Sequence, residues 1–188
     1  MRRRGSSKRN LKTVMGTADS ASLSTIGLIH TLIGLAALVA GVLALVKYRE
    51  IRLDDRYGRT YLLLTLVTAA TSLAIFRHGS FGAPHVLAIL TLIALAVGYA
   101  AASHAFGGAS RYVQAACFTT TILFHLIPGV TETSIRLPLG HPFAESPTSR
   151  VLQPIFLALI TAWIIGLVLQ LRWLRARGAV AAVPATAR

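Results

Sequence analysis

Carboxylates are scarce in this chain: six Asp and Glu stand against nineteen Lys and Arg, and none of the six lies inside a long apolar run. Paired-carboxylate acid–base chemistry within such a run is therefore excluded. The single cysteine, Cys117, rules out an intrachain disulfide and any metal site built from cysteines alone. There is no HExxH pair, no Gly-rich phosphate loop and no fixed-period repeat. A lone thiol on an apolar stretch reads as a small core residue rather than a nucleophile.

What is present is hydrocarbon. With 54% hydrophobic and 13% charged residues and a mean hydropathy of +0.64, the chain is too apolar for a soluble domain of its size, so the bilayer is its expected solvent. The pattern predicts an all-α integral membrane helical bundle of five transmembrane helices, over residues 23–46, 60–76, 84–103, 112–131 and 151–171. A basic tail, 1–22, precedes this 23–173 domain and a second tail, 174–188, follows it; both read as disordered. The net charge of +13 sits between or beyond the apolar runs, which marks it as topogenic and lipid-facing rather than as a nucleic-acid footprint. The basic residues divide almost evenly between the two sides of the bundle. If translation begins at Met15, the excess falls on the side of the 47–59 loop, which is then expected in the cytoplasm.

The fourth run holds the most informative residue. Ionisable side chains inside a membrane helix face the bundle interior or a wet cavity, and His125 lies well within residues 112–131. Helical steps back from it reach Thr121, Cys117 and Gln114, and three forward lies Pro128, so the polar atoms of this helix share one inward face. In the first run, His30 lies on a stripe of small residues, Gly27, Gly34, Ala37 and Gly41, that lets another helix approach closely. Tyr61, Thr65, Thr68 and Ser72 share one face of the second run, where packing hydrogen bonds are the expected role. The fifth run contains no ionisable residue and is suited to lipid contact or dimerisation.

Span direction places His30 and His125 at one depth, each about 10 Å below the same surface at a rise of ~1.5 Å per residue. His78 and His85 sit at that surface, His141 lies in the Pro-rich loop above it, and only His104 falls on the opposite side. Imidazole suits haem iron, zinc and copper. The leading expectation is an intramembrane site at His30 and His125, binding b-type haem or a divalent metal for electron transfer beneath a cap of residues 131–150. A shallower zinc or copper site would draw on His78, His85, His141 and Glu132. Two other readings stay open: a non-catalytic membrane subunit or assembly factor with structural histidines, and a small metal- or proton-coupled transporter. The expected partners are the lipid bilayer and a membrane protein or second copy.

Three local patterns carry a resemblance. They are His30-x3-Gly34-x2-Ala37-x3-Gly41, the loop closing in Arg56-x-Gly58-Arg59-x-Tyr61, and Gly82-x-Pro84-His85 at the head of the third run. Together they resemble an uncharacterised family of small bacterial polytopic membrane proteins with intramembrane histidines, over roughly residues 23–130. That family often has a His-Arg pair ahead of the Gly-Arg, where this chain has Asp54 and Asp55. The resemblance implies a helical bundle in a bacterial inner membrane and assigns no activity.

Overall fold

The computed structural model describes residues 25–74 and 81–181. Among them are five α-helices and no strand: α1 (Thr25–Tyr48), α2 (Arg56–Leu73), α3 (Ala83–Ala102), α4 (Ser110–Ser134) and α5 (Gln153–Ala181), with single 3-10 turns at Gly107–Ala109 and Arg150–Leu152. The basic tail and His78 lie outside the described residues.

Four of the five helices, all but α2, are long and apolar enough to cross a membrane. The difference from the five expected spans has a physical reason. α2 is described over only 18 residues, begins with Arg56 and Arg59, and devotes its length to hydroxyls, of which Tyr61, Thr65 and Thr68 are buried. α2 thus lines the interior with polar groups while its neighbours face outward with Leu, Ile and Val. At the other end, α5 continues past the expected boundary at 171, because Leu, Arg and Ala over 171–177 favour helix.

Consecutive helices pack side by side, α1 on α2, α2 on α3 and α3 on α4, and α4 closes back on α1. α5 leans on α4 from outside; only 6% of its membrane-length stretch is buried, against 33% for that of α4. The core is narrow and made of small residues against rings. Ala37, Ala40 and Ala44 of α1 meet Tyr61 and Leu62 of α2, Phe118 of α4 and Ile51 of the first loop.

Glycine sets the interhelical distances. A Cβ at Gly41 would fall 2.6 Å from Ile122 and 2.8 Å from the Tyr61 ring, and one at Gly98 would fall 2.3 Å from the Phe118 ring. The loop motif has a local cause as well. Asp55 caps α2 by accepting from the Gly58 N–H at 2.7 Å. This folds the chain so tightly that a Cβ at Gly58 would sit 2.1 Å from the Arg52 carbonyl oxygen. α3 starts with Pro84 in its first turn and with the His85 imidazole accepting from the Gly82 N–H at 3.2 Å.

Gly98→Ala is expected to cost about 1–3 kcal/mol through overpacking against Phe118, which is itself almost fully buried. Gly166→Ala, where nothing lies within 4 Å, should be neutral or stabilise by up to ~1 kcal/mol through helix propensity. Thermal unfolding of both variants in detergent checks the contrast.

Candidate functional site

The polar face of α2 is met from both sides by histidines. His30 Nδ1 of α1 lies 2.9 Å from Thr71 Oγ1. The Thr71 hydroxyl already donates its one proton to the backbone, with Val67 O at 2.8 Å and Thr68 O at 3.1 Å. It therefore accepts from the imidazole, which fixes the proton of neutral His30 on Nδ1. From the opposite side, His125 Nε2 of α4 is 3.0 Å from Thr65 Oγ1.

One turn further down α2, the same logic orders a second pair. Thr121 of α4 donates to the Phe118 carbonyl at 2.7 Å, so the Tyr61 hydroxyl donates to Thr121 Oγ1. The Tyr61 ring sits tilted against the His125 ring with centroids 6.0 Å apart, and its hydroxyl also interacts with Thr65. Thr121, Tyr61, Thr65 and His125 thus form one contiguous polar group. His30 and His125 meet α2 at positions six residues apart, Thr71 and Thr65. Between them lies Gly34, where a Cβ would meet Thr68 Cγ2 at 3.5 Å and His125 Nδ1 at 3.9 Å.

Pro128 adds an acceptor at this depth. It has no N–H for the carbonyl of Phe124, one residue before His125, although α4 continues through it to Ser134. In a membrane helix such a carbonyl is re-satisfied by a neighbouring side chain or by water.

The expected cofactors can be weighed against these donors. A porphyrin held by two imidazoles needs an open slot with a ring nitrogen on each side. Here His125 Nε2 is engaged by Thr65, and Nδ1 faces the backbone of Gly34 across a gap too narrow for a macrocycle. The small-residue stripe is filled by Thr68, Tyr61 and Ile122. The residues present do not fit b-type haem between α1 and α4. For a resident zinc or copper ion, no group of three His, Cys, Asp or Glu close enough to hold a metal occurs among the described residues, whereas structural zinc sites take four such ligands.

The other sequence candidates are dispersed. Glu132 pairs with Arg136 one helical turn on, at 2.8 Å. His85 is spent on capping α3 and stacks on Phe81, with centroids 5.1 Å apart. His141 is exposed on the long loop and His104 is exposed at the opposite end. Cys117 is half-buried. Gln114 reaches out of α4 towards the Ile51 carbonyl, at 3.5 Å.

That last contact belongs to a second polar cluster. The Glu50 carboxylate, 5% exposed, takes a two-pronged contact from Arg111, with Nη2 at 2.9 Å and Nε at 3.4 Å. Arg52 approaches it at 3.8 Å. Nearby, the Gln170 amide of α5 donates to the Arg49 carbonyl at 2.8 Å and accepts from Thr119 at 2.9 Å. The chain reaches these partners by leaving α1 through a left-handed residue, Arg49, with φ 64°. Sequence reading missed this cluster, although a buried glutamine near the end of an otherwise apolar run was a visible signal.

Comparison with protein-family models, with curated proteins and with solved structures finds no match to this chain.

Two measurements check the pairings. A double-mutant cycle with Thr65→Val and His125→Ala should give a coupling of about 0.6 and at most ~1.7 kcal/mol, the range of side-chain hydrogen bonds between membrane helices. Arg111→Ala should destabilise by about 1–3 kcal/mol because it leaves a buried carboxylate under-satisfied. Arg136→Ala, whose partner is half exposed, should cost ~1 kcal/mol or less.

Proposed function

We propose that this chain is a bacterial inner-membrane protein of the polytopic type it resembles, and that its histidine pair handles protons. His30 and His125, linked to the hydroxyls of Thr71, Thr65, Tyr61 and Thr121, take up and pass on single protons within the bundle. The observation that carries this reading is the set of three interhelical hydrogen bonds on one face of α2, His30 with Thr71, His125 with Thr65 and Tyr61 with Thr121. Each of these side chains is a group that both gives and receives a proton. Along α4, polar side chains recur from Arg111 through Gln114 and Thr121 to His125. The fourteen steps from Arg111 to His125 cover about 21 Å at ~1.5 Å each, most of the thickness of a hydrocarbon core.

The chemistry favours protons over electrons or a bound ion for two reasons. No group of three His, Cys, Asp or Glu that could hold a divalent ion occurs among the described residues. Like charges also repel strongly in a low-dielectric setting, so a second charged imidazole in the same bundle is disfavoured. The carbonyl freed by Pro128 offers a place for a water beside His125.

A second reading draws on the same contacts. His30 ties α1 to α2 and His125 ties α4 to α2, which is also what a non-catalytic subunit with structural histidines requires.

Liposomes containing the purified protein and an internal pH-sensitive dye separate the two. Under an applied potential the wild type should pass protons, and His125→Ala and His30→Ala should each slow passage by ~100-fold or more, the low end of what a positioned proton-transfer group contributes. Circular dichroism must show the helices retained. A wild-type rate equal to that of protein-free liposomes, with both variants merely less stable, discards proton handling and leaves the structural reading.

A further inference from the structure

The connection from α4 to α5 is long and rich in proline, yet it is tied down. The Ala144 N–H donates to the Ser134 carbonyl at 2.9 Å, that of Phe143 to Leu137 at 3.0 Å and that of His141 to Pro138 at 3.1 Å. Ala144 and Leu152 are buried beneath it. A turn held this firmly would be expected to tuck its large apolar side chains inward. Instead Leu137, Leu139 and Phe143 are 50%, 87% and 56% exposed.

Their position explains the exposure. The turn joins the ends of two helices long enough to span a bilayer, and the ion pair of Arg136 with Glu132 stands where it begins. Charged groups flanking projecting apolar side chains, at the end of a spanning helix, is the composition of the boundary between headgroups and acyl chains. Val151 and Leu157, at the start of the helix that follows, are exposed as well, by 39% and 67%.

We propose that residues 136–143 form an interfacial anchor, laying Leu137, Leu139 and Phe143 into the acyl boundary of the same bilayer that the helices cross. The occupant of this surface is lipid rather than protein. Three side chains on one turn fall well short of the ~1,000 Å² that a specific protein interface buries, whereas binding to a lipid surface grows with apolar area and needs no such minimum. The anchor fixes the loop's depth, and with it the level at which α4 and α5 leave the membrane. This inference is independent of proton handling.

The test uses the full chain in vesicles of phosphatidylcholine and phosphatidylglycerol. With Trp163→Phe and Trp173→Phe removing the native indoles, Leu139→Trp reports on the tip. Its emission should be blue-shifted, quenched by lipids brominated near the headgroup more than by lipids brominated near the chain end, and insensitive to iodide. A nitroxide on Leu139→Cys in a Cys117→Ala background gives the same reading without altering the tryptophans: it should be accessible to oxygen and protected from a water-soluble nickel chelate. Red-shifted emission quenched by iodide places the turn in water and overturns the anchor. Protection from both iodide and brominated lipid also overturns it, and assigns the surface to contact with a second copy or another protein.

Discussion

A hydroxyl or imidazole among hydrocarbon chains has to find its partner within the protein, because no water is there to supply one. The arrangement of α2 follows from that requirement. Its face of Tyr61, Thr65 and Thr68 turns inward, and α1 and α4 are drawn to it by the groups that complete those hydrogen bonds. The threonines that have no interhelical partner bond back to their own helix, as Thr68 does to Leu64 and Thr91 to Leu87, each four residues earlier. Thr71 and Thr121 do both, donating to their own helix while accepting from a neighbouring one, and the interhelical bonds are the candidates for chemistry.

Dispersion holds the same helices from the other direction. Between helices in lipid there is little hydrophobic driving force, so close backbone approach and tight contact supply the attraction. Gly41 and Gly98 permit that approach, and the rings of Tyr61 and Phe118 fill the space their missing side chains leave. Tyr61 belongs to both systems, since its ring packs in the glycine notch of α1 while its hydroxyl donates to α4. Truncating it would remove a core ring and an interhelical hydrogen bond together, so the two contributions at this residue cannot be separated by that substitution.

Much of this was legible in the sequence because it depends on periodicity. A polar stripe at steps of three and four on an apolar helix can face only inward, so Thr121, Gln114 and His125, and likewise Tyr61, Thr65 and Thr68, were placed correctly by counting. Rise per residue and span direction put His30 and His125 at one depth, whereas their partners on α2, Thr71 and Thr65, lie six residues apart. The identity of what fills the glycine stripe was not legible. A notch is the same notch whether a porphyrin or a threonine enters it, and Thr68 and Tyr61 stand in it. Nor was the partner of His30, because Thr71 lies one residue off the stripe of Thr68 and Ser72 and meets His30 only through the relative rotation of two helices.

The contacts hardest to foresee were those of the first loop, and the reason lies in how charge behaves at a membrane surface. Read by composition, residues 47–59 are a run of alternating charges whose natural assignment is solvent and headgroups. One of them, Glu50, is instead buried against Arg111, sixty-one residues away. Burial of a carboxylate is tolerated only with a cation and further hydrogen bonds nearby, and Arg111 was available because the Gly107–Ala109 turn ends just before it. Gln170 then secures the neighbouring carbonyl of Arg49 from α5. These two clasps lie at the end of the bundle away from His30 and His125, beside the part of the core where Ile51 packs against Ala44 and Tyr61, so a buried ion pair and an amide reinforce the apolar contact among α1, α4 and α5. Toward the other end, α4 continues through Pro128 to Ser134, and the turn that follows is held by its own backbone hydrogen bonds.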